Sequence, residues 1–192
     1  MSVSQSTTTT TDLSALTGTW EIDPSHSSLE FAVRHAMVAT VRGRFTDFTG
    51  SLSLDGTDPE RSSATVEVQL ASVDTGSADR DAHLRSADFF GTDENPAMTF
   101  RSKRAERGGD ENEYRLVGDL TIKGVSREVV LDLTYNGTAV DPWGNLRAGF
   151  EGTTTINRKD WDLTWNVALE AGGFLVSDKI KITLDISATK AA

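Results

Sequence analysis

Cysteine is absent from the 192-residue chain. Its absence excludes disulfides, thiolate zinc sites, iron–sulfur clusters and a cysteine nucleophile. Histidine is scarce, with His26, His35 and His83 only, which leaves little scope for a metal centre or Ser–His chemistry. Basic residues number 19 against 29 acidic ones, a net charge of −10. Phosphate binding needs clustered Lys and Arg, so this balance argues against a nucleic-acid binder. It also disfavours a protein held to anionic lipid by charge. No 18 apolar residues run together, so no membrane span is expected. No GxSxG elbow, P-loop or Gly-rich dinucleotide fingerprint occurs. No catalytic residue, cofactor or metal is therefore expected. Residues 1–16 lack a basic segment followed by an apolar one, so they do not read as a secretion signal. With the low-complexity run Thr7–Thr11 they read as a disordered tail on a cytoplasmic protein.

What is present, from residue 17 to 192, is alternation in a chain of one domain's length. Leu29, Phe31, Val33 and His35 alternate with Glu30, Ala32 and Arg34. Leu116, Gly118, Leu120 and Ile122 form another series, then Val129, Leu131, Leu133 and Tyr135, then Ile180, Ile182, Leu184 and Ile186. Period two means strands with one buried face. Asp55-Gly56, Lys123-Gly124 and Asn136-Gly137 supply hairpin turns, and the connections are too short for parallel crossovers. About eight antiparallel strands predict a sandwich or a closed barrel, and an eight-stranded barrel is wide enough for one small ligand. Phe45 and Phe48 differ in parity, so both face inward only if the chain slips by one residue, which predicts a β-bulge near Thr46-Asp47. Ser77–Ser86 reads as a short helix capped by Ser77. Arg158–Glu170 fits a strand or a helix equally.

Five stretches carry a family likeness: TWEIDPSHSSLEFAVRHAMVATVRGRFTDFTGSLSLD (Thr19–Asp55), HLRSADFFGTDENPAMTFRSK (His83–Lys103), GDLTIKGVSREVVLDL (Gly118–Leu133), AGFEGTTTINRKDWDLTWN (Ala148–Asn166) and LVSDKIKITLDISA (Leu175–Ala188). In this order they resemble the YceI-like family of polyisoprenoid-binding proteins. The resemblance implies an all-β fold: one eight-stranded antiparallel lipocalin-like barrel with one or two short helices. It also implies a carrier of a long-chain amphipathic lipid (a polyisoprenoid, an isoprenoid quinone or a fatty-acid derivative) and a homodimer. Many members carry a secretion signal, and Asp162 stands where the family more often has Gly after the aromatic residue.

The candidate tunnel lining is Phe31, Val33, Phe45, Phe48, Met98, Phe100, Leu120 and Phe150. A filled core and a hollow one need the same residue types, so this list does not separate them. Phe89 and Phe90 are adjacent; on an extended chain one plugs the barrel, assigned to Phe90, and the other packs outside. Trp161 and Trp165 suit a rim, where indole joins an apolar body to an N–H donor. His35 ends an inward series and is placed to bond a head group or quinone oxygen. Arg158 pairs with Asp160 or reaches the same head group. Asp79, Asp81 and His83 fall short of the three convergent ligands that zinc needs. The reading is a lipid carrier and not an enzyme. The alternatives are a small hydrolase or isomerase using His35 or an inward carboxylate, and a filled-core interaction domain.

Overall fold

The computed structural model describes residues 13–192. Its strands are β1 (Gly18–Ile22), β2 (Ser28–His35), β3 (Ala39–Phe45), β4 (Phe48–Leu54), β5 (Ser63–Gln69), β6 (Val73–Asp74), β7 (Ala97–Arg107), β8 (Glu113–Ile122), β9 (Val125–Val140), β10 (Leu146–Asn157) and β11 (Val176–Lys190). The short helix α1 spans Ala78–Arg85, with the Ser77 side chain accepting the Arg80 amide as its N-cap. Every pairing is antiparallel, and β1–β11 closes the ring. The first six strands are three long strands, each broken once. β1 and β2 both pair with β11, β3 and β4 pair with β2 and β1, and β5 and β6 pair with β4 and β3. With β7 to β11 they make a closed, eight-stranded up-and-down barrel.

The three breaks adjoin one another. Leu29 pairs with Phe45, and Phe45 with Val73, so residues 23–27, 46–47 and 70–72 follow one line across the wall. The middle break replaces the expected β-bulge. β3 ends at Phe45, β4 begins at Phe48, and the Thr46 and Asp47 amides donate to the Ser72 hydroxyl at 3.1 and 3.0 Å. The chain changes partners at this corner, which re-phases the pleat as a bulge would. Both rings then turn inward, at 7% and 3% exposure.

Residues 1–12 of the expected tail lie outside the described residues. Residues 13–16 do not behave as a tail. Ser14–Leu16 is a 3₁₀ turn, Leu16 is buried, and its carbonyl accepts the Trp20 indole N–H at 2.7 Å. The ambiguous segment 158–170 is neither a regular strand nor an α-helix. It begins as a 3₁₀ turn, Arg158–Trp161, and continues as irregular chain with one isolated bridge, Ala168 to Phe174. Asp162 ends the 3₁₀ turn in the left-handed region, at φ 59° and ψ 21°. The turn thus keeps the conformation that suits Gly. Among the described residues no helix is long and apolar enough to cross a membrane.

Candidate functional site

The barrel is hollow. A cavity of about 640 Å³ runs through it, within the range of small-molecule sites. Along β11 its lining extends from Val176 to Ile186. Ten residue steps span about 33 Å of strand, or roughly 25 Å along the axis after the usual barrel tilt. Phe31, Phe100, Phe150, Ile182 and Leu184 face inward yet stay only half buried, because the surface they keep faces the cavity.

Glycines in the wall make this possible. A Cβ on Gly43 would strike the Phe31 ring, and one on Gly118 the Phe100 ring. Gly50 and Gly152 give the same room to Ile22 and Leu133. Each glycine lies on an inward face, so its neighbour's side chain folds flat over the backbone and leaves the middle of the barrel open. The alternation Leu116-Gly118-Leu120 held this signal, but the partner of each glycine emerges only with the strand register.

Of the twelve candidate residues, ten line the cavity: Phe31, Val33, His35, Phe45, Phe90, Met98, Phe100, Leu120, Phe150 and Trp165. Phe48 and Trp161 do not. Phe48 fills the wall corner with Phe45 and Val68. Trp161 is no rim residue: it is 2% exposed, and its indole N–H donates to the Leu120 carbonyl at 2.8 Å. The adjacent Phe89 and Phe90 both reach the cavity, since the chain turns through residues 87–90 instead of extending.

Polar groups border the cavity at both ends: Asp55, Ser62, Ser63 and Arg115 at one, and a cluster with two histidines at the other. His35, Arg80, His83 and Arg158 border the cavity there, with Asp79 beside them. His83 packs edge-on to Trp165 and Phe89, at centroid distances of 4.5 and 5.1 Å, and pairs with Asp88 at 2.8 Å. Among the described residues no group bonds the His35 ring nitrogens, which leaves them for a ligand. Arg158 is almost wholly buried. Its guanidinium donates to the carbonyls of Leu163, Trp165, Val176 and Ser177, and Asp178 lies 3.8 Å away. The contact expected with Asp160 is not made. Burial pushes the Arg158 guanidinium down from its ordinary value, and Asp178 opposes that in part. At the far end Leu13, Leu16 and Pro59 join Asp55, Ser62, Ser63 and Arg115 in the lining, and Trp20 beside them is fully buried.

The sequence profile of the YceI-like domain matches residues 20–188. The chain belongs to the YceI-like family. A UPF0312 protein of Ectopseudomonas mendocina is 42% identical to it over 139 residues, 72% of each chain. A UPF0312 protein of Staphylococcus epidermidis is 40% identical over 163 residues, 84% of this chain and 92% of its own. The crystal structure of the Campylobacter jejuni YCEI protein matches with a TM-score of 0.71 at 31% identity, covering 83% of this chain and 90% of that one. A polyisoprenoid binding domain from Saccharophagus degradans, implicated in plant cell wall breakdown, shares the fold with a TM-score of 0.67 at 16% identity, over 90% and 98% of the two chains. The lipocalin-like barrel expected of a YceI-like chain is the fold observed.

Proposed function

We propose that this YceI-like protein binds a long-chain amphipathic lipid inside the barrel and acts as a carrier, not an enzyme. The observation behind this reading is the long apolar cavity. An alkyl or polyprenyl chain has no hydrogen-bonding groups and suits a dry channel, where each buried CH₂ contributes about 0.8 kcal/mol. A polar head cannot enter such a channel without partners. The head therefore stays at the His35 end, near the free imidazole and the His83–Trp165 pair, while the tail passes Phe31 and Phe100 towards Leu16. The fold shared with the Saccharophagus domain is consistent with a polyisoprenoid, and isoprenoid quinones and fatty-acid derivatives have the same two-part chemistry. An organic extract of the purified protein, analysed by mass spectrometry, should contain one such lipid in near-stoichiometric amount. An extract empty of long-chain species, with no uptake of added long-chain lipid, would reject the reading.

A further inference from the structure

Seven large apolar residues are conspicuously exposed among the described residues, and four of them meet at the His35 end. Met37 and Val38 form the tip of the β2–β3 hairpin, at 64% and 81% exposure. Val167 and Phe174 lie on the loop before β11, at 47% and 57%. The two loops are joined: the Ala36 amide donates to the Leu175 carbonyl at 2.7 Å, and the Met37 sulfur sits where a side chain on Gly173 would begin. Both loops grow directly from cavity-lining residues, His35 on one side and Trp165 and Val176 on the other.

The hairpin's backbone points the same way. Ala36 and Met37 have φ of 48° and 63°, and the Val38 amide donates to the His35 carbonyl at 3.2 Å. His35 pairs with Ala39, so the loop is residues 36–38, and two of its three residues hold a positive φ, for which Gly and Asn are the ordinary choices. The β8–β9 turn, Lys123-Gly124, follows that rule in part by using Gly. At the cavity mouth the chain instead places Ala and Met in the left-handed region, against its steric preference, and sets Val next to them. Solvation alone favours the opposite chemistry at a loop tip.

We infer that this face seats the barrel mouth on a lipid bilayer, so that a chain passes between membrane and cavity without crossing water. The inference rests on the lipid-binding reading of the cavity. The occupant is a membrane and not a second copy of the chain. The patch borders the mouth of the cavity at His35, Trp165 and Val176, and a bilayer seated there delivers a water-insoluble chain to it, whereas a second copy would cover the entrance. With a net charge of −10, attachment has to come from apolar insertion and not from attraction to anionic lipid.

The test is sedimentation with phosphatidylcholine vesicles, comparing the wild type with Val38→Asp/Phe174→Asp. Neither residue lines the cavity. Binding of the fluorescent fatty acid cis-parinarate from solution is measured in parallel. The wild type should partition onto the vesicles equally from roughly 0.1 to 0.5 M salt, a range over which surface charge is heavily screened. The double variant should lose that partitioning by about tenfold or more, the factor that 1.4 kcal/mol of lost insertion produces, and bind cis-parinarate within about twofold of the wild type. Wild type that ignores the vesicles while binding cis-parinarate overturns the membrane face and spares the cavity reading. Partitioning that survives in the double variant, or that appears only on anionic vesicles and vanishes with salt, overturns it too. So does a wild type that ignores vesicles and sediments at twice the mass of the variant, which would make the face a contact between copies. Failure to bind cis-parinarate, with an organic extract of the protein empty of long-chain species, removes the cavity reading that the inference stands on and overturns it with that reading.

Discussion

Two residues at the His35 end act in opposite directions on stability. Asp162 holds a left-handed conformation, which costs an L-residue about 1–2 kcal/mol, although Gly would loosen the unfolded chain and return part of that. Asp162→Gly should therefore raise stability by about 0.5–1 kcal/mol, read as a shift in the urea midpoint at unchanged slope. Arg158 works by what it saturates. It satisfies four backbone carbonyls that converge from residues 163–165 and 176–177. Arg158→Leu leaves those acceptors without donors and should cost about 3 kcal/mol or more. Lysine has a single point of donation in place of a planar fork, so Arg158→Lys should recover little of the loss. A Lys variant as stable as the wild type would show that charge alone matters there. The residue types at 158 and 162 were visible from the start. Their roles were not, because both depend on where the irregular loop 163–175 folds back.

At the scale of elements, the first break is tied to β10, one strand beyond β11. Asp23 separates β1 from β2 and accepts the Arg147 guanidinium at 2.8 Å, and Arg147 also reaches Asp141 at 2.8 Å in the β9–β10 turn. The Ser25 hydroxyl and then Arg147 hold the Asp23 carboxyl well below the usual carboxylate range. A carboxyl whose pKa is lower folded than unfolded adds stability above its unfolded value, about 3.9, and loses it as pH falls towards the folded value. The stability gap between wild type and Asp23→Asn should thus be full above about pH 4 and shrink steadily in more acid solution. A gap that stays constant down to strong acid would show that Asp23 gains nothing from its charge. The strands themselves were largely legible. In β9 and β11 one face is buried and the other wetter, which imposes period two on the sequence. The breaks were not: residues 70–72 carry no turn signal, and Asp23-Pro24, which is one, does not tell that the chain resumes along the same partner strand. Each takes its meaning from the strand beside it, as the corner at Thr46-Asp47 does from Ser72.

For the whole molecule, a hollow interior predicts that its bore can be changed without unfolding it. Phe100→Trp puts more ring into the middle of the cavity and should shift the extracted lipids towards shorter chains; an unchanged chain-length distribution would mean that the tail does not pass Phe100. Hollowness itself could not be read from composition, since apolar side chains look alike whether they meet one another or a void. The line of breaks across the first three long strands has one further consequence. On that side the wall is jointed, while β8 to β10 run unbroken across from it. Amides at 23–27, 46–47 and 70–72 should exchange with solvent faster than those of β10 and β11, and binding a ligand should slow them most. A barrel stiff on one flank and compliant on the other can take guests of different girth by opening along a single seam, so its selectivity should fall more sharply on chain length than on chain thickness.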